Sequence, residues 1–472
     1  MRCKVFSYKD EVYMSKFIGN KKFYRNVLMI AVPIIVQNMI TNFVGLLDNI
    51  MVGRIGTEQM TGVSIVNQLM FVFNLAIFGA ISGPGIFTAQ YYGKRDHDGV
   101  RHTMRFKLLV SAVILIAGLL IFMTNGDTLI KLFMAKTESK IDPAATFEYA
   151  RTYLIIMVVG LIPFAFANAY SGTLRETEQT RVPMIAGITA TVLNLVLNYL
   201  LIFGNFGAPE LGVAGAAIAT VVARFAEFFI IIIWAHTHTD QNPFIKDLYS
   251  SVAIPKELIK KILYRGTPLF ANEFLWSVGM SSLTQRYSTR GLDVMAAVNI
   301  SNTIFNLFNV MVISMGSVIA IIIGNLLGVS KNEEAVDTDR KLVTLAVASC
   351  VFFGFLEFVG APLFPKLYDP EPEIGALAAK FLRINGCCLP VHAFLNAAYF
   401  TLRSGGKTII TFLFDSFFVI AVSFPLAYVL SRFTDMPIIP LYICVQLADL
   451  IKVLLGAILL KKRIWIHNRV DK

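Results

Sequence analysis

Charge is what this sequence has least of. Asp, Glu, Lys and Arg make up 15% of 472 residues, against about 25% in an ordinary soluble domain, and 56% of the chain is hydrophobic. A charge-poor chain with a mean hydropathy of +0.65 cannot clothe a soluble surface of normal size. Period-two alternation is also missing. The apolar runs are continuous over about 20 residues, which excludes a membrane β-barrel and suits helices crossing about 30 Å of hydrocarbon. Cysteine is sparse, and Cys3, Cys350, Cys387, Cys388 and Cys444 show no metal-ligand spacing. They are read as small hydrophobes, and no metal site is expected. The six histidines (His97, His102, His236, His238, His392, His467) are scattered. The pair in His236-Thr237-His238 lacks an evident third ligand. No catalytic cluster of a membrane enzyme is visible, so neither enzymatic activity nor a cofactor is expected. The basic first 26 residues are not followed by a short apolar region with a small-residue cleavage site, so the first span is expected to be retained.

What is present is a series of about twelve apolar spans by hydropathy. Their approximate limits are 27–52, 58–83, 104–124, 146–171, 180–203 and 211–235, then 258–285, 294–325, 342–364, 376–401, 408–431 and 437–460. The spans one–two and seven–eight have tight, Gly-containing connections. The longest linker, His236 to Lys256, divides the chain near its centre. The net charge of +11 could suggest nucleic acid. Lys and Arg concentrate instead at the N-terminus, in alternate loops (most clearly 94–107) and at the C-terminus, so the positive-inside rule accounts for them. Both termini are expected to be cytoplasmic, and no nucleic-acid partner is expected. Arg224 and Lys452 lie inside apolar spans, each three residues from an acid, Glu227 and Asp449. An i,i+3 ion pair is expected for each.

The chain repeats itself. A shift of 235 lays residues 33–93 on 268–328 without a gap, matching Pro33 to Pro268, Gly56 to Gly291, Asn67 to Asn302, Asn74 to Asn309 and Gly93 to Gly328. A second echo pairs SGTLRETEQT (171–180) with FTLRSGGKT (400–408). Six spans is an even number, so the halves are parallel repeats related by an axis along the membrane normal. The expected fold is an all-α integral membrane protein of twelve transmembrane helices in two parallel-repeat six-helix lobes around a central cleft. The expected divisions are an N-terminal segment 1–26, an N-lobe 27–238, an inter-lobe linker 239–257, a C-lobe 258–463 and a tail 464–472. A channel built from repeats is less favoured, because no short filter loop with ringed carboxylates or carbonyls is present.

Two acids stand out. Asp48 lies near the far end of the first span, in GLLDNIMVGRIG, and Glu273 lies in the seventh. An ionisable group at membrane depth costs roughly 2.5–3.5 kcal/mol on insertion scales and by default marks an ion or substrate path. Asn194 and Asn198, spaced i,i+4, share one face of the fifth span, and Thr220 adds a hydroxyl on the sixth. Asn168 on the fourth span is a weaker candidate. Hydrogen bonding between helices is the plainer alternative for these amides and this hydroxyl. Glu357 and Asp415 sit near expected span ends, where a long side chain can reach the interface. They are left out of the expected site. The 38 Phe and 17 Met could line an adaptable pocket, but the count identifies no pocket residue.

The run AVPIIVQNMITNFVGLLDNIMVGRIG resembles the first helix of the multidrug and toxic compound extrusion (MATE) transporters. So do QYYGKRD, TLRETEQTRVPM, NLVLNYLLIFGNFGAPELGVAGAAIATVVAR and TLRSGGKT, in matching order over nearly the whole chain. The resemblance implies cation-driven export of amphipathic, often cationic, compounds across a cell (plasma) membrane, coupled to H⁺ or Na⁺. It implies a cation-coupling site at Asp48, Asn194, Asn198 and Thr220, with Asn198 standing where some relatives have Asp. Glu273 matches the acid on the seventh helix of sodium-coupled relatives. Their further Asp falls on His392 here, which tilts the expectation slightly towards H⁺, since imidazole titrates near neutral pH. His392 and Asn168 are the weaker, substrate-binding candidates. A second reading is a flippase or exporter of lipid-linked saccharides on a related two-lobed fold. Two lobes in one chain make a monomer sufficient.

Overall fold

The computed structural model describes residues 17–134, 142–288, 290, 292–368 and 372–467. The first half holds α1 (Lys21–Gly53), α2 (Thr57–Lys94), α3 (His97–Met134), α4 (Pro143–Val159), α5 (Leu161–Glu176), α6 (Arg181–Phe203) and α7 (Gly212–Thr237). The second holds α8 (Lys256–Ser288), α9 (Leu292–Gly328), α10 (Asn332–Gly360), α11 (Pro372–Ser404), α12 (Thr408–Phe412), α13 (Phe424–Phe433) and α14 (Ile438–Lys461). Helices α4 and α5 form one span bent by 46°. Helices α12 and α13 are one span joined through π-helical turns at Leu413–Phe417 and Val419–Ser423.

Among the described residues, ten helices are long and apolar enough to cross a bilayer, and the bent pair makes eleven. The twelfth is α8. It is 33 residues long but carries Lys260, Lys261, Arg265, Asn272, Glu273 and Arg286 along its length. Polar residues are tolerated in a spanning helix where it faces protein or a water-lined cavity. The least apolar helix thus holds one of the two candidate acids.

Each lobe is six spans around its own apolar core. Val66, Ile130, Leu161, Ala165 and Ala217 knit α2 to α7 in the first. Leu283, Ala297, Phe381, Ala427 and Leu441 do the same in the second. The lobes meet at the end that carries the basic loops. All of residues 81–90 on α2 and 321–328 on α9 are buried. There Phe23, Val27, Ala31 and Ile34 of α1 pack on Val318, Ile322 and Leu326 of α9. Away from this end, the later turns of α1 and the earlier turns of α2 are more exposed (Thr41, Phe43, Phe71, Val72).

The internal repeat is physical at this junction. A Cβ on Gly93 would stand 2.0 Å from the Asn325 carbonyl oxygen, and one on Gly328 would stand 1.9 Å from that of Gln90. Only glycine permits such backbone contact. The second echo returns as two left-handed residues after the Thr-Leu-Arg runs, Glu178 (φ 64°) and Gly406 (φ 69°). Across the junction Asn325 Nδ2 donates to Glu178 Oε1 at 2.8 Å, and Gln90 Nε2 donates to the Ser404 carbonyl at 2.9 Å.

The linker after α7 packs on the first lobe. Phe244, Ile245 and Leu248 are buried beside Val100 and Met104. Arg105 donates to the carbonyls of Leu248, Ala253 and Asp247 at 2.8, 3.2 and 2.5 Å.

Candidate functional sites in the two lobes

A polar cavity of about 380 Å³ lies within the first lobe, walled by α1, α5, α6 and α7. Helical periodicity builds it. Gly187, Ala190, Thr191 and Asn194 form one stripe of α6, and Thr220, Ala223, Arg224 and Glu227 one stripe of α7. Glycine at 187 leaves room for the Gln37 side chain, since a Cβ there would stand 2.5 Å from Gln37 Nε2. Asn194 Nδ2 donates to Thr220 Oγ1 at 3.2 Å, Asn198 Nδ2 to Asn194 Oδ1 at 3.3 Å, and Thr220 Oγ1 to the Ala216 carbonyl at 3.0 Å. Asn168 lines the same cavity, its amide donating to the Phe164 carbonyl at 2.8 Å. Asn198 stands behind Asn194 and is 2% exposed.

Position 48 continues the α1 stripe of Thr41, Val44 and Gly45 that faces this cavity. The side chain of Asp48 itself lies outside the described residues.

Charged groups absent from the expected site also line the cavity. Arg175 donates through Nη2 to Gln37 Oε1 at 2.8 Å, and Glu227 and Arg224 share the wall. The expected Arg224–Glu227 ion pair does not form among the described residues. The Arg224 guanidinium lies 4.9 Å from the centre of the Phe164 ring and donates to the Gly160 carbonyl at 3.4 Å. That carbonyl, at the bend between α4 and α5, also accepts from Phe164 N at 3.4 Å, so the cation shares it with the backbone.

The second lobe carries a chain of polar contacts through α8, α11, the π-helical turn and α14. Asn272 Nδ2 donates to Asp415 Oδ2 at 3.1 Å and to Tyr399 Oη at 3.3 Å. Its Oδ1 accepts from Ser416 N at 3.3 Å and from Ser416 Oγ at 2.7 Å. A π turn displaces a backbone N–H from its α-helical acceptor, and the neighbouring Asn side chain receives it. Glu273, the next residue on α8, lies among Tyr399, Arg403 and Asp415. Lys452 Nζ lies 3.4 Å from Asp415 Oδ1 and 5.6 Å from the centres of the Phe414 and Phe418 rings.

The expected Lys452–Asp449 pair is therefore corrected: Lys452 pairs with Asp415, and Asp449 Oδ2 lies 3.8 Å from His392 Nε2. The π turn puts Asp415 within reach of α14, so it does not extend to the interface. Glu357 does not reach the interface either. It is 0% exposed, and neither carboxyl oxygen has a hydrogen-bond partner among the described residues.

Asp48, Asn168, Asn194 and Thr220 thus map to one lobe, with Asn198 just behind, and Glu273 and His392 map to the other. The Thr-Leu-Arg echo held an unused signal: Arg175 faces the first cavity, and Arg403 stands beside Glu273 in the second lobe. Among the described residues, no group of three or more His, Cys, Asp or Glu side chains is placed to hold a metal.

The sequence model of the MatE family matches residues 33–200 and 268–429, two segments whose starts differ by the repeat shift. A probable multidrug resistance protein NorM of Thermotoga maritima is 25% identical over 434 residues, covering 90% of this chain and 89% of that protein. A probable multidrug resistance protein of Bacillus subtilis is 24% identical over 438 residues, with 92% of each covered. Among solved structures, an outward-facing multidrug resistance MATE transporter of the MOP superfamily superposes with a TM-score of 0.82 at 18% identity, covering 95% of this chain and 98% of that one. A Vibrio cholerae MATE transporter gives 0.81 at 17%, with 95% and 98% covered. At such identities the superpositions show the fold alone.

Proposed function

Since this chain belongs to the MATE family of multidrug efflux transporters, we propose that it is a cation-coupled antiporter, driven by H⁺ or Na⁺, that exports amphipathic and often cationic small molecules by alternating access. The observation that carries this reading is the first-lobe cavity. Asn194, Thr220, Asn168 and Arg175 from three helices converge there on the stripe of α1 that continues to position 48. In this reading Asp48, Asn194, Asn198 and Thr220 couple the cation, and Glu273 does so in the second lobe. Asn168 and His392 contact the exported solute.

With its acid ionised, the first lobe attracts a cationic solute. Protonation of Asp48, or Na⁺ bound at it, cancels that field and releases the solute. Exchanging one H⁺ for one monovalent cation moves no net charge, so the drive is about 1.36 kcal/mol per pH unit. The membrane potential adds about 2.3 kcal/mol per charge per 100 mV only when more charge enters than leaves. The buried α2–α9 junction at the basic-loop end supports a cleft open to the opposite side.

The same reading puts both termini in the cytoplasm and the protein in the cell membrane, working as a monomer. It takes the N-lobe as 27–238, the linker as 239–257 and the C-lobe as 258–463. The lipid-linked saccharide reading is not favoured, since Arg175 and Arg224 share their cavity with Glu227 rather than forming a purely cationic one.

Liposomes loaded with a fluorescent lipophilic cation, given a pH gradient or a Na⁺ gradient at clamped potential, test the coupling. One of the two gradients, imposed alone, is expected to drive transport, and Asp48→Asn to abolish it while the protein stays in the membrane. Wild-type rates in Asp48→Asn would remove Asp48 from the mechanism. No movement of several cations under either gradient would overturn the antiport reading.

A further inference from the structure

A second cavity, of about 740 Å³, lies between the first turns of α1 and α6 and shares no lining residue with the polar cavity. Its composition is divided. Lys21, Arg25 and Arg181 stand at one end, and Leu28, Val32 and Met184 line the rest. Leu28 and Val32 are 49% and 46% exposed on a helix long and apolar enough to span the bilayer, so this wall borders lipid tails. The three cations have no ion pair, hydrogen bond or ring contact among the described residues. Uncompensated cations brought together repel one another.

The geometry fits a two-part ligand. From Arg25 to Val32 the helix rises about 10 Å. A negative group held by Lys21, Arg25 and Arg181 at the interface can therefore carry an aliphatic chain down the Leu28–Val32–Met184 wall. A free inorganic anion would leave that wall unused, and a zwitterionic headgroup would bring its own cation against the three.

We propose that this groove is a binding site for one anionic phospholipid of the leaflet at the basic-loop end. Its phosphate lies among Lys21, Arg25 and Arg181, and an acyl chain lies along α1 and α6. Basic pockets between spanning helices recognise anionic headgroups in this way. The site requires only that the helices span a bilayer, and not any particular coupling ion or exported solute.

Native mass spectrometry of the purified full chain in neutral detergent, titrated with phosphatidylglycerol, tests the assignment. A single retained adduct is expected, with affinity on the order of a hundred-fold lower in the triple variant Lys21→Gln/Arg25→Gln/Arg181→Gln. Should that variant not fold, Met184→Trp keeps the three charges and fills the groove, and it is expected to lose the adduct as well. An adduct unchanged in the triple variant, or in Met184→Trp where the triple variant does not fold, overturns the proposal. Equal retention of phosphatidylcholine also overturns it, by showing that charge is not read. Displacement by an equal concentration of inorganic phosphate would identify a free-anion site and overturn the lipid assignment.

Discussion

Gly93 on α2 and Gly328 on α9 occupy equivalent places in the two repeats, and each lies against the other helix's backbone, Gly93 on Asn325 and Gly328 on Gln90. The pseudo-two-fold axis of the molecule thus passes through a backbone-to-backbone crossing. Two amides spaced by the same shift, Gln90 and Asn325, reach across it to Ser404 and Glu178. The crossing sets how closely α2 and α9 approach, and the apolar packing of α1 on α9 surrounds it.

Gly93→Ala and Gly328→Ala should therefore behave alike. Each Cβ would sit about 2 Å from a carbonyl oxygen and force α2 and α9 apart. The expected cost is roughly 1–3 kcal/mol, as for overpacking elsewhere. Hydrogen exchange should rise in residues 88–94 and 323–328 in both variants, with little change in the lobe cores. Unchanged protection there would mean that the crossing is not what keeps this end closed.

The Lys452–Asp415 pair gives a test of geometry against sequence spacing. Lys452 and Asp415 are 8% and 23% exposed, so removing either partner strands a largely buried charge. Asp415→Asn or Lys452→Met is expected to lower stability by roughly 3 kcal/mol. The double variant should cost less than the sum of the two. Asp449→Asn, aimed at the residue that sequence spacing favours, should show no such coupling with Lys452→Met. Thermal unfolding of the three single variants and the two doubles in one detergent decides it.

How much of this was legible beforehand follows from what each residue's neighbours are. The spans, the repeat and the position of Asp48 depend on hydropathy and on Pro, Gly and Asn at fixed offsets, all local to the chain. Partner choice is not local. Lys452 has an acid one turn away, yet it takes Asp415 from another helix because a π turn, held by Asn272, aims that carboxylate inward. Nothing in FLFDSFFVIAVS announces that turn. Arg175 was visible in the Thr-Leu-Arg echo, but its role needs Gln37 on a helix 138 positions earlier.

Glu357 offers an opposite sign of effect. Its carboxyl is fully enclosed beside the close approach of Gly354 to Gly386, and neither oxygen has a hydrogen-bond partner among the described residues. Replacing such a group by an apolar one removes a desolvation cost of about 1–3 kcal/mol. Glu357→Leu is expected to raise the unfolding temperature. A clear loss of stability would mean that the carboxyl has a partner in the membrane-embedded protein.

Glu178 makes the junction pH-sensitive. It lies outside the spans, and burial holds its carboxyl above the usual range, partly offset by the hydrogen bond from Asn325. A pKa raised in the packed state means that packing favours the protonated form. The junction's stability from this group is therefore fully present below the pKa of the exposed carboxyl, and it is lost as pH rises through the higher, packed-state value. Hydrogen exchange at residues 323–328 should accelerate across that window beyond its ordinary chemical dependence. In Glu178→Gln, whose side chain stays neutral and still accepts from Asn325, the extra acceleration should vanish. If Glu178→Gln and the wild type show the same pH profile, Glu178 is not the group that titrates at the junction.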